Sequence, residues 1–169
     1  MTKNKDPFRR QVAPGISILA LTVTAGLFVF ASLFLGEALG FYVLFWWWDD
    51  MLHFTSGIIL ALASILIIYS IDPPHAGRIS PLFTALFAFC FAISLGAIWE
   101  IQEFGFDSIL GWNAQRWTTP PTFFLLGREI QGFGLRDTMS DILYNTLGAL
   151  VASSYLYIRT KKQRSQPNE

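Results

Sequence analysis

Seven ionisable side chains of this sequence are of types that could do chemistry, and they occur in three short clusters. The clusters consist of Asp49, Asp50 and His53, then Glu100 and Glu103, and finally Asp137 and Asp141. Separations of three or four positions place such side chains on one face of a helix. Carboxylates with one imidazole suit hard to intermediate cations, here Mg²⁺, Mn²⁺, Fe²⁺ or Zn²⁺. The clusters therefore predict a divalent-metal site if the fold brings them together.

The composition indicates that these acids belong to a membrane protein. The chain has 169 residues, of which 53% are apolar and 14% charged, and its mean hydropathy is +0.44. Soluble domains carry about 25% charged residues, so we predict that the chain lies in a lipid bilayer. Its 12 Lys and Arg balance 12 Asp and Glu, which excludes a strongly basic nucleic-acid-binding protein. A single cysteine, Cys90, excludes an internal disulfide.

Four segments are long and apolar enough to cross the bilayer, which takes about 20 residues of helix. They are residues 16–36, 51–71, 81–103 and 137–158. We predict an all-α polytopic integral membrane bundle of about four transmembrane helices with interfacial segments. The bundle forms one domain, 16–158, between an N-terminal tail, 1–15, and a C-terminal tail, 159–169. Lys and Arg flank both ends, which predicts cytoplasmic termini in a bacterial inner membrane.

In this topology the three clusters come to lie at one level, at the outer side of the membrane, next to an outer loop of residues 104–136. Acids at this depth cost several kcal/mol each unless they are paired, protonated or bound to a cation. The helix dipole and capping could explain Asp49, Asp50 and Asp137 without chemistry, because these acids open helices. Glu100 and Glu103 close a helix, where the dipole disfavours negative charge, so they point most strongly to a site.

The arrangement suggests catalytic roles for Glu100, Asp137 and His53. All seven clustered residues are candidate metal ligands. Arg128 and Arg136 in the outer loop would contact an anionic head group, and that loop would cover the site.

Three functions are compatible with these residues. The first is a metal-dependent hydrolase or transferase acting on a lipid-linked or envelope substrate at the outer leaflet. The second is a cation- or proton-linked transport or binding protein, for which four helices would require a homo-oligomer. The third is a structural protein whose polar residues fix helix packing. Asn145, one turn beyond Asp141, fits either interhelical hydrogen bonding or support of a metal ligand.

The motifs also carry a family resemblance. They are Trp48–Phe54 with Gly57, Trp99–Glu103, and Asp137–Asp141 with Asn145 and Leu147–Ala149. Over residues 46–150 their order and spacing resemble the YjdF-type family of bacterial inner-membrane proteins, and distantly the VanZ-like membrane proteins. The resemblance implies a small helical integral membrane protein and brings no established reaction. The sequence departs from the YjdF-type pattern in its Trp-Glu-Ile-Gln-Glu motif and in the segment 113–126.

Overall fold

The part of the chain that the structure describes is almost entirely helical. The structure is a computed structural model that describes residues 18–71, 78–115 and 133–165. The helices within these ranges are α1 (Ile18–Val29), which continues as a π-helix, π1 (Phe30–Ala38), then α2 (Phe41–Leu44), α3 (Trp48–Ile71), α4 (Pro81–Leu110) and α5 (Phe133–Ser165). No strand occurs among the described residues. The predicted all-α fold class is thereby confirmed.

Three of the described helices have the length and apolar composition of membrane spans. They are Ile18–Ala38, Trp48–Ile71 and Pro81–Leu110, which correspond to the first three predicted segments. The fourth predicted segment, 137–158, lies inside α5, a helix of 33 residues. Because α5 also carries a charged first turn and a basic last turn, its crossing of the membrane stays a prediction.

Helix α4 continues beyond residue 103, where the third span was expected to end. It runs to Leu110 and stops at Gly111, which adopts a left-handed conformation with φ of 68°. Glycine enters that conformation without steric cost, so it commonly ends helices. At the other end, the Ser80 hydroxyl accepts a hydrogen bond from the Phe83 amide, and Pro81 occupies the first turn. The first seven residues assigned to the outer loop 104–136 are thus helical.

Helices α3, α4 and α5 form the core by packing against one another. Their buried contact is made largely of small side chains, with two larger ones: Ala61, Ile65, Ala88, Ala92, Ala149, Ala152 and Leu156. Small residues let helix backbones approach closely in membranes. In contrast, α1 buries none of its residues and makes few contacts with α3, so the first span lies beside the core.

Two glycines bring α3 and α5 into backbone contact. A Cβ atom at Gly57 would collide with the backbone of Asn145 and Ala149, and one at Gly148 would collide with the carbonyl of Phe54. Any side chain at either position would therefore push the helices apart. This close approach sets the distance between the polar ends of α3 and α5.

Candidate metal centre

The candidate site lies at one end of the three-helix core, with each helix contributing to it. Asp49 and His53 occupy the first turns of α3, one helical turn apart. Glu100 comes from the late part of α4 and Asp141 from the third turn of α5. The antiparallel course of neighbouring helices brings these residues from distant parts of the sequence to one level.

His53 is at the centre of the group. Its Nε2 atom lies 3.6 Å from Asp49 Oδ1 and 3.8 Å from Asp141 Oδ1, whereas its Nδ1 atom lies 3.8 Å from Glu100 Oε1. The two imidazole nitrogens therefore face different carboxylates. The His53 side chain is 11% exposed, so these contacts are largely shielded from the surroundings.

Asp49, His53 and Asp141 have the spacing of a metal site. One ligand atom from each residue can be chosen so that all lie within 4.8 Å of one another. Two ligands bound at about 2.1 Å to one tetrahedral ion would be about 3.4 Å apart, close to the separations measured from His53 Nε2. Small side-chain movements would thus suffice for these atoms to share one cation.

Burial increases the need for a positive partner in this group. Asp141 is 1% exposed and Glu100 is 4% exposed. Asp141 Oδ2 forms no hydrogen bond within the described residues, whereas Glu100 has the Thr138 side chain as a hydrogen-bonding neighbour. Buried polar atoms are almost always satisfied in proteins, and buried charges are paired or coordinate metals. The Asp141 carboxylate, which belongs to the group formed with Asp49 and His53, fits a bound cation.

The remaining predicted ligands lie next to this group and have contacts of their own. Asp50 accepts a hydrogen bond of 3.0 Å from the Ser140 hydroxyl, which links α3 to α5. Glu103 accepts a hydrogen bond of 2.8 Å from the Trp99 indole nitrogen. Asp137 lies close enough to interact electrostatically with Glu100. The structure thus brings all seven clustered residues to one end of the core, but places only part of them around His53.

One of the two arginines predicted to contact a head group lies within the described residues. Arg136 is exposed in the first turn of α5, directly before Asp137. Arg128 lies outside the described residues. The positions of Arg136 and Asp137 place a positive group at the margin of the acidic cluster.

Asn145 connects all three core helices below the site. The side-chain amide of Asn145 is oriented so that both its nitrogen and its oxygen form hydrogen bonds. In this orientation the nitrogen donates to the Ala92 carbonyl at 3.2 Å. The oxygen then accepts from the Ser56 hydroxyl at 3.0 Å and from the Gly57 amide at 3.3 Å. Gly96 leaves space for this side chain, since a Cβ there would lie 2.6 Å from Asn145 Oδ1. Asn145 therefore fixes the helices one turn away from Asp141.

Comparison with known proteins identifies the family. A family model described as "Predicted membrane protein (DUF2238)" matches residues 15–162. The chain belongs to this family. A Thermotoga maritima protein named "Uncharacterized protein" is 27% identical over 135 residues, which are 76% of this chain and 57% of that protein. The chain thus spans little more than half the length of this relative. No solved structure matches.

The family match covers the three core helices but assigns no role to any residue in them. It supports the membrane location and the coarse part of the resemblance noted from the motifs. The VanZ-like resemblance is not shown by these comparisons. A candidate function therefore depends on the geometry of the Asp49, His53 and Asp141 group.

Sequence reasoning missed the residues that connect α4 to α5 beside the site. The Asp107 carboxylate accepts hydrogen bonds from the backbone amides of Ala114 (2.7 Å) and Gln115 (2.9 Å). The Gln115 side chain in turn donates to the Thr138 hydroxyl at 2.7 Å. A signal existed in the sequence, because Asp107 follows Glu103 by one helical turn and precedes Gly111. Its position inside the predicted loop concealed its role in holding the turn after α4.

Proposed function

We propose that this protein is a membrane metalloprotein that binds a divalent cation through Asp49, His53 and Asp141. The observation that carries the proposal is the distance between the ligand atoms: three atoms from two helices lie within 4.8 Å of one another. It is supported by the burial of Asp141, one of whose carboxylate oxygens lacks a hydrogen bond within the described residues. One imidazole and two carboxylates suit Mn²⁺, Fe²⁺ or Zn²⁺ better than Mg²⁺, which prefers oxygen ligands and bound water.

The proposed location is the outer face of a bacterial inner membrane, with four spans and both termini in the cytoplasm. The basic residues at the end of α5 support it, since Lys162 and Arg164 occupy its last turn and cytoplasmic flanks are enriched in Lys and Arg. The motif likeness to the YjdF-type inner-membrane family supports the same placement. In this orientation the metal site opens toward the outer leaflet.

For the reaction, we propose hydrolysis or group transfer on a lipid-linked or envelope substrate. A divalent cation would polarise a phosphoryl or carbonyl oxygen and lower the pKa of bound water. Asp137 lies beside the site as a candidate proton acceptor, and Arg136 is exposed at the same level to contact an anionic group. Arginine binds phosphate and carboxylate in a bidentate manner.

Metal analysis tests the site directly. We expect protein purified in mild detergent and dialysed against Mn²⁺ or Zn²⁺ to retain one equivalent by elemental analysis, and Asp141→Asn to retain none. Asp50→Asn is the matched control, because Asp50 bonds to Ser140 and lies outside the three-residue group. Absence of stoichiometric metal from the wild-type protein would contradict the proposal.

The reaction is tested separately in liposomes. Metal-loaded protein is supplied with a polyprenyl diphosphate or with phosphatidate, and released phosphate is measured. We expect release with wild-type protein and loss of release with Asp141→Asn. Cation flux into the same liposomes without phosphate release would instead favour the transport function.

A further inference from the structure

The two nitrogens of His53 differ in their surroundings, and this difference assigns them separate tasks. Nε2 faces Asp49 at 3.6 Å and Asp141 at 3.8 Å, which together with it form the three-residue metal group. Nδ1 faces Glu100 at 3.8 Å. Because the nitrogens of an imidazole point in diverging directions, a cation bound at Nε2 lies on the far side of the ring from Glu100.

We infer that Glu100 is the positioning carboxylate of His53: it accepts the Nδ1 proton while Nε2 binds the cation. This inference rests on the proposed metal site and replaces the ligand role that the sequence suggested for Glu100. A neutral imidazole carries one proton, so metal binding at Nε2 leaves that proton on Nδ1. Metal-bound histidines commonly donate their second N–H to a carboxylate, which fixes ring orientation and increases ligand basicity.

The surroundings of Glu100 fit this task. Its side chain is buried, and its carboxylate has Thr138 as a hydrogen-bonding neighbour. A carboxylate has about four acceptor sites, so it can also accept the Nδ1 proton. The present distance to Nδ1 exceeds that of a charge-assisted hydrogen bond by about 1 Å, so rotation of either side chain can close it. Glu100 belongs to α4, while the three-residue metal group comes from α3 and α5. The contact therefore connects α4 to a site made by the other two helices.

Glu103 provides a matched control on the same helix. It is also a glutamate, lies one turn further along α4 and interacts electrostatically with Asp49. Its carboxylate, however, is bonded to the Trp99 indole. Glu103→Gln thus removes the same charge from the same region without removing a partner of His53, and it separates positioning from general electrostatic attraction.

Metal affinity is the first readout. We expect Glu100→Ala to weaken Zn²⁺ binding about 10- to 100-fold, as loss of a supporting carboxylate does, with the stoichiometry of one ion retained. Glu100→Gln keeps an acceptor oxygen and should recover part of this loss, while Glu103→Gln should change affinity less than either. Loss of all metal in Glu100→Gln would show that Glu100 is a ligand and overturn the inference. Equal effects of Glu100→Ala and Glu103→Gln would also overturn it.

The protonation site of the imidazole is the second readout. The chain has two histidines, so a His75→Gln background leaves His53 as the sole histidine. In the ¹⁵N-histidine NMR spectrum of the Zn²⁺-loaded protein we expect Nδ1 to carry the proton and Nε2 to bind the metal. Zinc bound at Nδ1 would overturn the inference and leave the metal site standing. Failure of the wild-type protein to bind any metal would overturn both.

Discussion

Asp141 combines deep burial with nearby side chains of the same charge. It is almost fully buried, one of its oxygens has no hydrogen bond in the described part of the chain, and Asp49 and Glu100 both lie close enough to repel it. Burying a charge without a compensating partner costs far more than burying a neutral amide. Asp141 therefore lowers the stability of the metal-free protein, and its contribution to stability should increase most when a cation is bound.

The first prediction concerns the stability of Asp141→Asn. Without added metal, the free energy of unfolding of the variant should exceed that of the wild-type protein by about 1 to 2 kcal/mol. A neutral amide of the same shape replaces a carboxyl group that must either carry a repelled charge or take up a proton. Mn²⁺ at 100 times its Kd should stabilise the wild-type protein by about 2.7 kcal/mol and the variant hardly at all. Thermal unfolding in detergent measures both effects. Equal stabilisation of both proteins by Mn²⁺ would contradict the assignment of Asp141 as a ligand.

The second prediction concerns pH. Protons compete with the cation for the imidazole and the carboxylates, so metal affinity should fall as the pH falls. Calorimetric titration with Mn²⁺ between about pH 8 and about pH 6 should show a loss of about fourfold or more, since a histidine gains its proton in this range. His53→Gln should bind more weakly at every pH and show a flatter dependence. An affinity independent of pH in the wild-type protein would exclude the imidazole as a ligand.

At this scale the sequence was informative about residue types and uninformative about orientation. The spacing of Asp49 and His53 predicted one helix face. The premise that Glu100 closes a helix was wrong, because α4 continues to Leu110. No pattern could indicate that Glu100 faces Nδ1 and Asp141 faces Nε2, because that depends on how α4 and α5 are rotated about their axes. Helix rotation is decided by packing, which in this bundle depends on glycine and alanine contacts far apart in the sequence.

Helix spacing depends on Gly57 and Gly148, which let the backbones of α3 and α5 touch. Asn145 then fixes the same two helices to α4 through Ser56, Gly57 and Ala92. Such polar contacts in membranes are worth about 0.6 to 2 kcal/mol each. The position of the metal group follows from this contact, because His53 lies one turn from Gly57 and Asp141 lies two turns from Gly148.

The third prediction addresses this contact. Gly57→Ala should destabilise the core by about 2 kcal/mol or more and weaken metal binding, because the added methyl group meets the backbone of Asn145 and Ala149. Gly105→Ala is the control, since no atom lies within 4 Å of its added Cβ, and it should leave both properties unchanged. Thermal unfolding and Mn²⁺ titration of the two variants provide the comparison. A wild-type affinity in Gly57→Ala would show that the site does not depend on the close approach.

The sequence predicted the existence of the core helices better than their ends. Hydropathy located α3 and most of α4, but it could not place the end of α4 because nothing between residues 104 and 110 forbids a helix. Gly111 ends the helix, and the Asp107 carboxylate holds the turn at Ala114 and Gln115 that follows it. Hydropathy likewise weakens where α5 carries its charged first turn, although α5 packs against both other core helices.

The molecule as a whole is polarised along its helix axes. The acidic cluster occupies one end of the core, while Arg159, Lys161, Lys162 and Arg164 follow the apolar part of α5 at the other end. The all-α membrane fold followed from composition and segment length alone, because a chain this apolar has few alternatives in lipid. Orientation depends on the charge bias of the ends and is therefore the property to test at this scale.

The fourth prediction uses cysteine labelling to test the orientation. In a Cys90→Ala background, Ser108→Cys near the end of α4 should react with a membrane-impermeant maleimide added to intact spheroplasts. Ser165→Cys at the end of α5 should react only after the membrane is opened. Both serines are exposed, so differences in labelling report the side of the membrane. The reverse pattern would place the metal group on the cytoplasmic side.

The loose attachment of the first span has a consequence for how the protein is made. Synthesis proceeds from the N-terminus. No residue of α1 is buried against the core helices, so this segment can integrate into the bilayer alone. Helix α5 emerges after α3 and α4 and carries Asp141 and Asn145, which lipid would not accept readily. By then α3 and α4 are already in place to receive them. The order of the helices along the chain thus means that the surface of α3 and α4 exists before α5, whose polar residues are costly to place in lipid, has to pack against it.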